Sequence, residues 1–271
     1  MSEWNRIERG SGRPLVLLHG AGGTARNWLP VMDRLAQERR VIALDFPGFG
    51  RTPFPDDAEF SMDWAMAQLA AEFQRLGLDG PVDLAGNSMG GWFALEAAKR
   101  GMAGAVVAVA PAGLWQHGMP PLLYAQFQAM LAGSMLTRGA GGAFLRIPAI
   151  RYAGLAVIAS RPWRIDAAEG IRMVRDLDRS ERALRIAVGH ARGLRFEGGQ
   201  RIATPVTVAF GTRDLMLPPR VSQLRSELPA HTRWVRLPGC GHVPMSDAPT
   251  LVAQTILDGI RAAAPAREAT A

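Results

Sequence analysis

The chain has 271 residues, 48% of them hydrophobic, with a single cysteine and a formal net charge of +7. One cysteine excludes an intramolecular disulfide and a cysteine-built zinc cage, and no apolar run reaches the roughly 18 residues of a membrane span. The N-terminus, Met1-Ser2-Glu3-Trp4, lacks a basic region followed by an apolar one, so the expected location is the cytoplasm.

In chain order, the first half alternates strand-like and helix-like stretches, the pattern of a parallel sheet with crossover helices. Leu15 to Leu18 is a continuous apolar run ending at His19-Gly20, and Val41 to Leu44 is another, stopped by Asp45-Phe46-Pro47-Gly48-Phe49-Gly50. Runs that are apolar on both faces suit strands buried between helix layers. Ser61 is an expected helix N-cap, followed by Trp64, Leu69, Phe73 and Leu76 near one side of a helix. Pro81 to Ala85 is the next strand and Ala105 to Ala110 the one after it.

From Gly113 to Phe196 the strand pattern lapses. Leu123, Phe127, Met130 and Leu131 fall at helical spacing, with breaks at Gly139 to Gly142 and at Arg161-Pro162. Between Arg138 and Arg195 twelve arginines stand against five acids, an excess of seven that equals the formal charge of the whole chain. An arginine-rich solvated face explains this most simply, attraction of anionic substrates is the alternative, and no motif that reads nucleic acid accompanies the charge. Strands resume at Pro205 to Phe210 and Arg233 to Leu237, Leu251 to Ile260 makes a last amphipathic helix, and residues 262–271 read as a disordered tail. Residues 1–112 and 197–271 are therefore expected to form an α/β core, and 113–196 an inserted helical subdomain.

Gly86-Asn87-Ser88-Met89-Gly90 lies between a strand and a helix, where glycines without a Cβ let the two elements approach while Ser88 is held in a strained turn. A serine nucleophile needs an imidazole base and a carboxylate that orients it, and in a doubly wound sheet these meet at the carboxyl ends of strands. Asp214 follows the strand ending at Phe210, and His242 follows the strand ending near Leu237. An Asx turn is the competing reading for Asp214. His117, His190 and His231 fall in the insertion or in a loop entering a strand and read as structural, and His19 reads as a loop brace. Oxyanion donors are expected at the backbone amides of Met89 and of Ala21, with Gly22 as the alternative. The small-residue loop lacks the lysine and spacing of a phosphate-binding loop.

These motifs together resemble the α/β-hydrolase superfamily, in its serine-nucleophile branch, over essentially the whole chain. His19-Gly20 resembles the oxyanion loop, Asp45-Phe46-Pro47-Gly48-Phe49-Gly50-Arg51-Thr52 the D-x-P-G-x-G-x-[ST] segment, and residues 86–90 the nucleophile elbow. Phe210 to Asp214 is similar to the acid turn and Gly239 to His242 to the histidine loop. The resemblance implies about eight strands, residues 113–196 as a mobile cap, and a cofactor-independent, metal-free hydrolase. A serine at the elbow argues against the haloalkane dehalogenase and epoxide hydrolase branches, which use aspartate. The elbow also resembles that of carbon–carbon hydrolases of ring-cleavage products, with Asn27 in the place of a substrate-contacting asparagine. That family usually carries tryptophan after the histidine, where this chain has Val243. Carboxylesterases and enol-lactonases tolerate Val243, so a small-molecule ester or lactone is the expected substrate, contacted by Gly22, Asn27, Asn87 and Val243. Perhydrolase activity is a side possibility, and a ligand-binding module with slow or no turnover is a further alternative. Neither substrate nor the choice of monomer or dimer is encoded in the periodicity.

Overall fold

The computed structural model describes residues 3–56, 58–137 and 142–262. Residues 139–141 of the glycine break expected at Gly139 to Gly142, and nearly all of the expected disordered tail, lie outside them. Strands β1 (Arg6–Arg9), β2 (Pro14–Leu18), β3 (Arg40–Leu44), β4 (Val82–Asn87), β5 (Ala103–Val109), β6 (Val206–Gly211) and β7 (Arg233–Leu237) form one sheet in the order β1-β3-β2-β4-β5-β6-β7. Seven strands are described, in keeping with the roughly eight that the resemblance implies. Only β1 is antiparallel, paired with β3 from Arg6↔Leu44 to Arg9↔Val41. Its four residues hold a single apolar side chain, so no apolar run marked it in the sequence.

Helices α1 (Leu29–Leu35), α2 (Met62–Arg75) and α3 (Met89–Lys99) follow β2, β3 and β4 as crossovers. Ser61 caps α2 as expected, its Oγ accepting from the Trp64 N–H at 3.0 Å. Between β5 and β6 lie α4 (Pro121–Thr137), α5 (Pro148–Leu155), α6 (Ala167–Arg179) and α7 (Glu181–Ala191). Two single-turn helices, α8 (Pro219–Ser222) and α9 (Pro244–Asp247), and the long α10 (Pro249–Arg261) complete the chain.

Strand side chains alternate between two faces, and here both are buried. Val16, Leu18, Ile42, Leu44, Leu84 and Val106 pack on one side with Leu69 and Phe73 of α2 and Phe93 of α3. Leu15, Leu17, Val41, Ala43, Ala85 and Val107 pack on the other with Met32 and Leu35 of α1 and Ile256 and Ile260 of α10. The result is a helix, sheet, helix sandwich. Among the described residues no helix is long and apolar enough to cross a membrane.

The order of the strands locates the functional end of this sheet. β3 lies on one side of β2 and β4 on the other, so connections leave the β2–β4 boundary in opposite directions and open a crevice beyond the strand ends. The register aligns those ends: Leu18 pairs with Gly86, Asn87 with Val109, Val109 with Ala209, and Gly211 with Leu237. The loops after β2, β4, β6 and β7 are thereby brought to one rim.

Candidate active site

Ser88 sits between β4 and α3 with φ 54 and ψ −113, one of two non-glycine residues with positive φ among those described. Such a conformation persists only where the surroundings over-determine it. Here the Ser88 N–H donates to Val109 O at 3.0 Å, and its carbonyl accepts from Trp92 N and Ala112 N, each at 3.0 Å. The flanking glycines are required by contact distance. A Cβ on Gly86 would lie 2.1 Å from Gly90 O, and one on Gly90 would lie 2.2 Å from Leu18 O and 2.6 Å from His19 O. Gly90→Ala must push α3 away from the end of β2, and we expect it to cost about 3 kcal/mol of stability, read as a lowered urea midpoint at unchanged m-value.

Asp214 makes contacts with both of its carboxylate oxygens. Its Oδ1 accepts from Met216 N at 2.9 Å and Leu217 N at 2.8 Å, which is the turn, and its Oδ2 lies 2.9 Å from Nδ1 of His242. Burial raises the carboxyl's pKa, but the pull of His242 and the two amide donors outweighs it, and the net shift is downward. An ionised carboxylate only accepts, so Nδ1 of His242 carries a proton, and in the neutral ring the lone pair lies on Nε2. Both side chains are buried.

Ser88 and His242 line one cavity of about 280 Å³. Gly20, Ala21, Gly22 and Gly23 form its wall after β2, in a turn closed by Gly23 N donating to Gly20 O at 2.9 Å, with Gly22 at φ 76. Met89 is the first residue of α3, so its N–H has no intrahelical acceptor. Asn27 and Val243 also line the cavity. The Asn27 Oδ1 accepts from Thr24 N at 2.8 Å, so its carbonyl end holds the loop.

Asn87, expected as a substrate contact, borders the cavity but spends its amide elsewhere: Nδ2 donates to Val109 O at 3.1 Å and to the backbone carbonyl of His242 at 3.0 Å. It ties the loop of His242 to the residue before Ser88. His19 is a brace, with Nδ1 donating to Gly20 O at 2.8 Å and Nε2 accepting from Phe46 N at 3.0 Å. Burial lowers its pKa, which keeps this neutral tautomer. The segment beginning at Asp45 is likewise structural. Asp45 accepts from Ala25 N at 2.7 Å and Arg51 N at 2.9 Å, and a Cβ on Gly50 would fall 2.1 Å from its carboxylate. His117, His190 and His231 do not line the cavity. Nor does Cys240, whose thiol is pushed up to about 11, chiefly by burial.

Apart from Ser134, the rest of the lining is apolar and comes mostly from residues 127–177, including Phe127, Met130, Leu155, Ile158 and Leu177. Of the four residues read as a helical stripe, Phe127 and Met130 face the cavity while Leu123 and Leu131 are buried in the core. No arginine or lysine lines it among the described residues. Several arginines of this region are engaged elsewhere: Arg172 with Glu169, Arg182 with Asp56 at 2.8 Å, Arg185 with Glu181 at 3.0 Å, and Arg192 over the Tyr124 ring. Asp247, which sequence reasoning missed, is fully buried and accepts three backbone N–H groups around the histidine loop. An acid five residues beyond a candidate histidine has no periodicity to mark it.

The sequence is 41% identical over 92 residues to 2-hydroxy-6-oxo-6-(2'-aminophenyl)hexa-2,4-dienoic acid hydrolase of Metapseudomonas resinovorans, covering 33% of this chain and 31% of that protein. The chain thus matches about a third of the length of the first of its curated relatives. A longer match, 30% identical over 190 residues, covers 67% of this chain and 87% of an epoxide hydrolase of Mycobacterium tuberculosis. Among solved structures, a thermophilic esterase from Thermogutta terrifontis shares the fold at a TM-score of 0.76 and 22% identity, over 96% of this chain and 93% of that one. The family model described as the alpha/beta hydrolase family matches residues 15–255, a span that runs from β2 through every strand-end loop of the site into α10. The chain belongs to the alpha/beta hydrolase family.

Proposed function

We propose that the protein is a cofactor-independent serine hydrolase that cleaves an ester or lactone bearing an apolar acyl group, working in the cytoplasm on a small molecule. Ser88 attacks the carbonyl carbon, and His242 Nε2 takes the serine proton and then gives it to the leaving alcohol. Asp214 holds the imidazole in the required tautomer, and the amides of Met89 and Ala21 donate to the oxyanion. Water, deprotonated by His242, then hydrolyses the acyl-enzyme and frees Ser88. The observation that carries this reading is one cavity bordered by a strained serine and by a histidine bonded to a buried carboxylate. In this reading residues 113–196 form a cap over a core of 1–112 and 197–271, and Gly22, Asn27 and Val243 border the substrate.

The similarity to an epoxide hydrolase does not extend to epoxide chemistry here. Serine opening an epoxide would form an ether, which water does not hydrolyse, whereas an acyl-serine ester is readily released. Carbon–carbon bond hydrolysis is the second reading, favoured by the 41% identity to a dienoic acid hydrolase. Against it, an acid substrate would bring a carboxylate into a lining with no cation among the described residues, a costly burial.

A panel of p-nitrophenyl esters tests the substrate class. Specificity constants should rise about fourfold per methylene until the cavity is filled, and an acyl group ending in a carboxylate should lose that gain. Equal turnover of neutral and carboxylate-ended acyl groups would overturn the apolar reading, and faster cleavage of a ring-cleavage dienoate would favour the second.

A further inference from the structure

We infer that Asp247 is a positioning residue that fastens the apolar wall of the cavity to the loop of His242, so that one buried carboxylate sets both acyl binding and proton transfer. The inference rests on the hydrolase reading above. Asp247 closes α9, five residues after His242, and is 0% exposed. Its Oδ2 accepts from Gly241 N at 2.7 Å and from Ser160 N at 3.0 Å, and its Oδ1 accepts from Arg161 N at 2.8 Å. Its backbone carbonyl accepts from Arg161 Nη1 at 3.0 Å and Arg164 Nη1 at 2.7 Å.

Two further bonds join the same pair of segments. Val243 N donates to Ile158 O at 2.8 Å, and the Ser160 hydroxyl donates to Gly239 O. The approach is close enough that a Cβ on Gly241 would lie 2.8 Å from Ser160 N. Val157 and Ile158 border the cavity at one end of this joint, and His242 borders it at the other. A carboxylate suits the junction because two oxygens can accept three N–H groups, while the neighbouring guanidinium groups offset its charge.

Asp247→Asn keeps the shape but replaces one acceptor oxygen with a donor, leaving at least one of the three amides unsatisfied. Two movements follow: the histidine loop loses an anchor beside His242, and the wall at Val157 and Ile158 is released. The test uses the full chain, with active sites counted by fluorophosphonate labelling so that rates refer to labelled enzyme. We expect kcat per labelled site to fall between about tenfold and a hundredfold even with an acetyl ester. The rise of kcat/KM with acyl length should flatten as well. Ser160→Ala removes one bond from a half-buried side chain and keeps the test readable if Asp247→Asn does not fold; it should shift both quantities in the same direction by a smaller factor. A role confined to stability would lower Tm and the labelled fraction while leaving kcat per site and the acyl-length slope unchanged, and that result overturns the inference. Absence of turnover in the wild type would instead overturn the hydrolase reading.

Discussion

Ser88→Ala should abolish multiple turnover of short p-nitrophenyl esters and covalent labelling by a fluorophosphonate. The reason lies in how little else the cavity offers as a nucleophile. Its remaining polar borders are Asn27, Asn87, Ser134 and His242, and Asn87 is committed to two backbone carbonyls. The Ser134 hydroxyl donates to Asp178 at 3.2 Å, and the Cys240 thiol lies outside the lining and is kept protonated by burial. Alanine retains the Cβ, so the elbow should fold with a Tm close to the wild type's, and activity and labelling should vanish without loss of protein. Undiminished turnover would falsify Ser88 as the nucleophile. Stoichiometric labelling of the wild type without turnover on any ester or lactone would point instead to a ligand-binding module on this fold.

Asp214→Asn should lower kcat on the order of 10⁴-fold. The asparagine amide preserves the shape of the turn, but it can present an N–H to Nδ1 of His242 and draw the ring proton to Nε2, leaving no lone pair for the serine proton. The loss should appear in kcat, since Asp214 does not border the cavity. Stability gives a second measurement. The carboxyl's folded-state pKa is depressed, so its contribution is present above the ordinary carboxylate value, about 3.9, and is lost as pH falls through the depressed value. The difference in Tm between wild type and Asp214→Asn should therefore be larger at pH 7 than at pH 3. A difference that does not change with pH would mean that folding does not lower the carboxyl's pKa.

Much of this was legible locally. The apolar runs at Leu15, Val41, Ala105 and Pro205 mark strands because a strand buried on both faces has no polar alternation to interrupt it. Ser88 was legible because close approach of α3 to β4 and to the end of β2 permits only glycine at positions 86 and 90, and that constraint is written in five adjacent residues. β1 was not legible, because a four-residue edge strand takes its hydrogen bonds from β3 and needs little burial of its own. Asp247 escaped for a similar reason: its donors at 160 and 161 are more than eighty residues away in sequence.

The sequence by itself determined the layered α/β class, the elbow and the candidate base and acid, because each depends on contacts within a few residues or on periodicity. Tertiary structure alone decided what surrounds them. It split the stripe on α4 between cavity and core, and it turned Asn87 into a loop brace. It kept the arginines of the helical segment out of the cavity lining and joined that segment to the histidine loop through Asp247. Helical spacing gives the relative angle of side chains around an axis, but the direction that axis faces is set by packing between distant segments, and substrate selection depends on that direction.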